Sequence, residues 1–315
     1  MRASPVIASA LLCGCALHGA TTLPEPAREP ARDSLFRFDE SRTDSVAARG
    51  FVDGTVSLLG EKIVYLRAGA PVAFGLAATR ALLGAGGDPP ATRLFWQPLG
   101  GGVSGDLRAA YTFGVAVRAA TAAHPQFGRY IAFWERQRNG PWRIVAYSEV
   151  NGPVSTAPRE PAARNSDGDV APRETPPAAS AAVAEERSRL RAADSSFSDL
   201  SYRMGVAYAF ANTVAPDGVV FGDPQLVIGA HAIEEYLGAR AGQSSLVWQP
   251  VFAWVAASRD LGFTVGESTS TGLGASGAAV QRMGKYLTIW KRQKNGEWKF
   301  VVDGGNSGPP RGDER

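Results

Sequence analysis

One passage of this chain is written twice. Gly128-Arg-Tyr-Ile-Ala-Phe-Trp-Glu-Arg-Gln-Arg-Asn-Gly-Pro-Trp-Arg-Ile-Val145 returns as Gly284-Lys-Tyr-Leu-Thr-Ile-Trp-Lys-Arg-Gln-Lys-Asn-Gly-Glu-Trp-Lys-Phe-Val301. Trp134 and Trp290 lie 156 positions apart, as do Trp142 and Trp298; Trp96-Gln-Pro98 and Trp248-Gln-Pro250 lie 152 apart. Six of the seven tryptophans therefore fall into register. Stacked solenoid units repeat every roughly 20–50 residues, so a period this long marks a tandem pair of whole domains. The 315 residues accommodate two such domains, and each copy, at about 115–125 residues, is large enough to bury its own core.

The remaining composition narrows the function classes. Apolar residues make up 44% and charged residues 20%, an ordinary globular balance. The net charge of +3 is spread over alternating signs, with no Lys/Arg cluster interleaved with aromatics, so nucleic acid is not an expected partner. His18, His124 and His231 are the only histidines, too few for a His-rich metal centre. No Walker loop and no G-x-S-x-G elbow occurs, and no metal or cofactor is expected.

The ends and the middle of the chain read differently from the two copies. Residues 1–15 read as a signal peptide: a basic start, then the apolar run Pro5 to Leu12, too short to span a membrane. Its end, Leu12-Cys13-Gly14-Cys15, resembles a bacterial lipoprotein signal, with Cys15 as the lipidated residue and membrane attachment through that lipid alone. Export to the periplasm or cell envelope follows from this reading. Both cysteines lie here, so neither domain has a disulfide or a thiol nucleophile. Residues 16–32 are expected to be a Pro-rich tether, 151–182 a disordered linker and 308–315 a tail.

Within the copies, 33–150 and 183–307, the patterns repeat in order. A helical stretch up to about Leu59 precedes a strand at Ile63–Leu66, a short helix at Ala77–Leu83 and strands near Arg93–Gln97, Leu107–Arg118, Tyr130–Arg136 and Trp142–Ser148. The second copy has a helix from Glu185 to about Asn212 and a strand at Gly218–Phe221. A short helix at His231–Leu237 follows, then strands at Ser245–Gln249, Val251–Ala257, Leu261–Ser268, Lys285–Arg292 and Glu297–Asp303. Asn139-Gly140 and Asn295-Gly296 predict hairpins with positive φ at both turn residues. Helix followed by a run of strands indicates an α+β fold. The expected architecture is two tandem cone-shaped domains, each a long helix plus short helices packed on a curved, mostly antiparallel sheet.

This order, with Trp248-Gln-Pro250, Asp260-Leu-Gly-Phe-Thr-Val-Gly266, the Gly284–Asp303 segment and Gly304, resembles the SnoaL-like, ketosteroid isomerase-like superfamily. This superfamily is also called the nuclear transport factor 2 fold, and the nearer branch is domain of unknown function 4440. In the first copy Asp106-Leu107 and a shifted Tyr111-Thr-Phe-Gly114 stand for the same words, and Tyr147-Ser-Glu149 replaces Asp303-Gly-Gly. The resemblance implies a hollow between helix and sheet, and dimerisation through the outer sheet face. Such a fold hosts isomerases, dehydratases, hydrolases and proteins with no chemistry.

Asp303 is the candidate catalytic residue, a carboxylate on the last strand that looks into the hollow in the resembled fold. In apolar surroundings its pKa rises and it becomes a general acid or base near neutrality; as a structural group it would be satisfied by backbone donors or by a partner such as Arg203. Tyr147 takes its place in the first copy, with Glu149 able to replace the charge. Tyr202, Tyr208, His231 and Trp248 complete the candidate ligand-pocket set with Tyr147 and Glu149. Strand alternation puts Trp298, Phe300 and Val302 on one face, suited to an interface between the copies. A linker of roughly 30 flexible residues reaches about 30 Å, enough for an intramolecular pseudo-dimer. Three functions stay open: binding of a small apolar or amphipathic ligand or a protein partner without catalysis, an isomerase, dehydratase or hydrolase acting through Asp303, and a structural module of envelope assembly.

Overall fold

The computed structural model describes residues 25–88, 92–119, 125–136, 140–150, 180–222, 226–241, 244–273 and 277–309. The signal segment with Cys15, the tether before residue 25, linker residues 151–179, Asn139 and the tail from 310 lie outside the described residues.

The first half runs α1 (Glu25–Arg49), α2 (Phe51–Val56), β1 (Leu59–Leu66), β2 (Ala73–Phe74), α3 (Gly75–Ala85), β3 (Arg93–Val103), β4 (Ala109–Ala119), β5 (Pro125–Arg136) and β6 (Trp142–Val150). The second repeats it as α4 (Ser180–Met204), α5 (Val206–Thr213), β7 (Val214–Phe221), β8 (Leu226–Ile228), α6 (Ala230–Ala241), β9 (Ser245–Val255), β10 (Leu261–Leu273), β11 (Ala279–Arg292) and β12 (Trp298–Ser307). The sheets share one topology, β2-β1-β6-β5-β4-β3 and β8-β7-β12-β11-β10-β9. Among the described residues only β1/β6 and β7/β12 pair in parallel. The chain is two tandem α+β domains, as the residue patterns indicate.

Several boundaries differ from the sequence reading. The segment assigned to the tether is helical from Glu25, with Pro30 inside α1. An interior proline costs about 3 kcal/mol, and here the helix turn is docked: Arg28 is buried, with its guanidinium 3.6 Å from Asp260 of the other half. The helix expected to run to Asn212 breaks at Gly205 (φ 89), and α1 ends in the same way at Gly50 (φ 81). Strands expected on either side of Pro250 are one strand. The ladder with β10 skips Val251, and the ladder of β3 with β4 skips Leu99, so the Trp-Gln-Pro words of both copies sit at bulges. A bulge tolerates a proline that lacks its N–H. At Asn295-Gly296 only Gly296 has positive φ (92). The Gly296 N–H bonds Gln293 O and the Gln293 N–H bonds Glu297 O, a three-residue hairpin rather than a two-residue one.

The last strand of each half carries the most consequential irregularity. Trp290 faces Phe300 and Ile289 faces Val302, which leaves Val301 as an extra residue; in β6 the extra residue is Val145. One inserted residue reverses the facing of everything beyond it. Trp298 and Phe300 therefore pack inside the second half with Leu190 and Phe197, not at an interface, and Trp142 and Ile144 do the same in the first half.

The outer faces of the two sheets meet in a single apolar cluster containing Val145, Ala146, Ile131 and Phe133 from one half and Val301, Val302, Leu287 and Phe263 from the other. Phe133 lies 4.9 Å from Phe263 and 5.1 Å from Trp254, the one tryptophan without a repeat partner. Asn306 Nδ2 donates to Glu149 O (2.6 Å) and Leu66 O (3.2 Å), and the Gly105 N–H donates to Asp260 Oδ2 (2.7 Å). A Cβ on Gly304 would stand 2.7 Å from Val150 Cγ2, so the close approach of the sheets there requires glycine.

The structure also sets the true register of the repeat. Trp134 Nε1 donates to Thr112 Oγ1 (2.9 Å) and Trp290 Nε1 to Thr264 Oγ1 (2.8 Å). Tyr111-Thr-Phe-Gly114 thus matches Phe263-Thr-Val-Gly266 directly, and the Asp106-Leu107 word is the one out of step.

Candidate functional site

The site of the second half starts from the buried stripe of α4. Glu186, Leu190, Asp194, Phe197, Ser198 and Ser201 recur at helical spacing and face the sheet. This places a carboxylate, Asp194, in the centre of the contact, between Leu190 and Phe197. It is completely buried and accepts hydrogen bonds from Trp248 Nε1 (2.7 Å) and Tyr286 OH (2.7 Å). Tyr286 reaches it because β10 has glycine at 266: a Cβ there would meet the Tyr286 ring at 2.5 Å.

Asp303 faces the same hollow, turned inward by the Val301 bulge. It lies opposite Thr288 on β11, whose hydroxyl donates to Asp303 Oδ1, and beside Val220 on β7. A cavity of about 280 Å³ opens in front of it. Phe210, Leu246, Trp248 and Tyr286 give its apolar and aromatic walls, and Ser268 and Asn306 add polar atoms.

The electrostatics follow from burial. Loss of water pushes the Asp303 carboxyl up to about 7; the Thr288 hydroxyl pulls it down and the Asp194 carboxylate raises it further. Asp194 is raised by the same loss of water, against the hydrogen bonds it accepts. The Tyr286 phenol is held protonated far above its usual range by burial and by the carboxylate it bonds. Burial lowers Lys285 to about 8; its Nζ donates to Ser307 O at 2.6 Å. The arrangement offers a polar group near the wall of an apolar pocket that exchanges a proton near neutral pH, with a phenol locked as a donor.

The first half holds the same frame in a filled form. Asp39 occupies the position of Asp194 and accepts from Tyr130 OH (2.6 Å), the counterpart of Tyr286. Arg42 occupies the position of Phe197. It is buried, ion-pairs with Asp39, and lies 4.3 Å from the Trp96 ring and 4.9 Å from that of Trp134. Tyr147 stands where Asp303 stands, and Ala132 where Thr288 stands. Its ring stacks 4.9 Å from Tyr65 and its hydroxyl accepts from Trp96 Nε1 (3.3 Å); burial raises the phenol to about 12. A hollow of about 220 Å³ remains outside this plug, bordered by Arg118 and Glu149.

The residues singled out from sequence therefore separate. Asp303 and Trp248 line the cavity. Tyr202 is 76% exposed and Tyr208 41% exposed, because both lie off the buried stripe. His231 is also on the surface, 3.6 Å from Glu235 on the next turn of α6. Arg203 bonds the carbonyl of Asp199 on its own helix rather than Asp303. Glu149 lines the first-half hollow with Tyr147 and accepts from Arg118 Nη2 (2.9 Å) and the Ala68 N–H (3.3 Å). Asp194, Tyr286 and Thr288 were not singled out. The available signal was the recurrence of Leu35-x-x-x-Asp39 as Leu190-x-x-x-Asp194, a carboxylate on the apolar stripe of both helices.

Among the described residues no helix is long and apolar enough to cross a membrane. Among them, too, no group of three or more His, Cys, Asp and Glu side chains is placed to hold a metal ion.

No protein-family model matches the chain, and no curated protein matches it. Solved structures do. One is a ketosteroid isomerase-like protein from Erwinia carotovora atroseptica, 19% identical over 39% of this chain and 96% of that one, TM-score 0.34. A second is an NTF2-like protein with a cystatin-like fold from Novosphingobium aromaticivorans, 18% identical over 42% and 86%, TM-score 0.32. A third is an NTF2-like protein of unknown function from Pseudomonas putida, 14% identical over 42% and 93%, TM-score 0.33. Each spans one domain's length of this chain, and the similarity is one of fold.

Proposed function

We propose, for a chain of two tandem NTF2-like, ketosteroid isomerase-like domains, that the second domain binds a small, largely apolar molecule through a polar group presented to Asp303. The first domain is its divergent counterpart in an internal pseudo-dimer. The observation that carries this reading is the contrast within the chain. Arg42 and Tyr147 fill the floor of the first half's frame and leave a hollow of about 220 Å³ bordered by Arg118 and Glu149, whereas the cavity of about 280 Å³ in the second half reaches the Asp303 carboxyl between aromatic walls. A pocket with aromatic walls and few convergent polar groups is the usual form of a small-molecule site.

The test restores the plug. Thr288→Ala with Asp303→Tyr rebuilds the first-half pair in the second half. This variant is expected to keep the thermal unfolding cooperativity of the parent and to lose binding of a panel of small amphipathic compounds measured by calorimetry. Undiminished binding by the folded double variant would sink the reading.

A second reading, acid–base catalysis on such a molecule, is favoured by the burial of Asp303 at the cavity wall, which pushes its carboxyl up to about 7. It requires turnover with a bell or step near pH 7, abolished by Asp303→Asn. We also propose that the protein is exported and lipid-anchored at Cys15. Mass spectrometry of the mature N-terminus tests this, and an unmodified chain beginning at Met1 would refute it.

A further inference from the structure

We infer that the second-half cavity selects a cation: a small molecule with an apolar body and a protonated nitrogen, bound at Asp303, with the Asp194 carboxylate buried behind the Trp248 and Tyr286 walls. The inference rests on the pocket reading above and names the chemical class of its ligand. It is drawn from what the first half does with the same frame. There the chain supplies a cation of its own. The Arg42 guanidinium ion-pairs with Asp39 and sits among the faces of Trp96 (4.3 Å), Trp134 (4.9 Å) and Tyr130 (5.5 Å). A carboxylate surrounded by aromatic faces is the arrangement that holds a desolvated cation.

The second half keeps the carboxylate and all three rings, as Asp194, Trp248, Trp290 and Tyr286, and changes the cation. Phe197 takes the position of Arg42, its ring 4.5 Å from Trp248 and 6.1 Å from Trp290. The hydrogen bonds that Asp194 accepts from Trp248 and Tyr286 come from neutral groups, as does the one Asp303 accepts from Thr288. Asp303 then adds a second carboxyl group, facing a cavity walled by Trp248 and Tyr286. Two carboxyl groups withdrawn from water either hold protons or gain a partner of opposite charge. The cavity leaves room for the partner to come from outside the chain.

The charged groups around Asp303 are few. Asp194 faces it from α4 and Tyr286 from β11, while the neighbour on β7 is Val220. Of the lining cations, Arg282 is exposed at the mouth and Lys285 turns its ammonium to the Ser307 carbonyl at the seam with the first half. Arg191, also on α4, is bonded to the Pro250 carbonyl.

The experiment compares three compounds of one shape by calorimetry on the whole protein: 2-phenylethylammonium, 2-phenylethanol and 3-phenylpropionate. At about pH 8, the ammonium is expected to bind about tenfold or more tighter than the alcohol, the increment a charge-assisted hydrogen bond carries over a neutral one, and the carboxylate weakest. The preference shrinks as pH falls through about 7 and Asp303 takes up a proton. Asp303→Asn removes that step together with the preference for the ammonium over the alcohol, and leaves any contribution from Lys285 at higher pH. Equal binding of ammonium and alcohol at about pH 8, in parent and variant alike, overturns the cation while the pocket reading stands. Preference for the carboxylate overturns it as well. Absence of binding by all three overturns both.

Discussion

Replacing Asp303 by asparagine should make this protein more stable, by an amount that depends on pH. The folded protein holds the Asp303 carboxyl at about 7, whereas an unfolded chain holds it near about 3.9. The folded state therefore binds its proton more tightly. Below about pH 4 both states carry the proton and the group is neutral in its effect. Between about 4 and 7 the unfolded chain releases the proton first, so stability falls as pH rises, and above 7 the penalty is complete. Three units at 1.36 kcal/mol each set a ceiling of about 4 kcal/mol. Asp303 is only half-buried as a residue, so water screens part of this, and about 2–3 kcal/mol is the expected penalty at about pH 8. Asparagine has the same shape, keeps an acceptor for the Thr288 hydroxyl and cannot ionise. Urea unfolding of parent and Asp303→Asn across about pH 4 to 8, with linear extrapolation, reads the difference directly. The variant should match the parent near pH 4 and gain about 2–3 kcal/mol by pH 8. Asp194 titrates in both proteins, so most of its contribution cancels. A difference that stays flat across the range, or a variant less stable than the parent at the upper end, would refute the account of Asp303 as a carboxyl held against its preferred solvent.

Two further outcomes follow from packing. Gly304→Val should destabilise the protein by about 1–3 kcal/mol, because the new side chain meets Val150 at 2.7 Å and Ile131 at 3.0 Å across the seam; a denaturation midpoint within error of the parent's would mean the sheets are not closely packed there. Arg42→Met should cost about 3–5 kcal/mol by leaving Asp39 buried without its cation. Adding Asp39→Asn should recover much of that loss in equilibrium unfolding, and no recovery would count against the ion pair as the cause.

The duplication and the meander were legible in the residues because they depend on local patterns, whereas the inward position of Asp303 was implied by the family resemblance and is produced by the bulge at Val301. Tryptophans recur at fixed spacing, and apolar runs alternate. The facing of Trp298 and Phe300 was not legible. Simple alternation groups them with Val302, and the extra residue at Val301 is defined only by the pairing of β12 with β11, which the strand's own pattern does not contain. Asp194 was hidden for another reason. A charged residue on a helix is ordinarily solvated, and only its recurrence at Asp39 on the same stripe marks it as buried. Tyr202 and Tyr208 were attractive by residue type, but Gly205 breaks the helix between them, and neither side chain joins the buried stripe.

The seam between the sheets has one more consequence. Two identical chains meeting about a two-fold axis must make every substitution at the contact twice, once on each side. Here the two sides are encoded separately. Gly304 makes room for Val150, while its counterpart Ser148 accepts a hydrogen bond from Asn306 (3.4 Å). Joining the copies in one polypeptide thus frees each from mirroring the other: one frame can carry an internal cation, Arg42, while its twin carries Phe197, without either change being imposed on the opposite face.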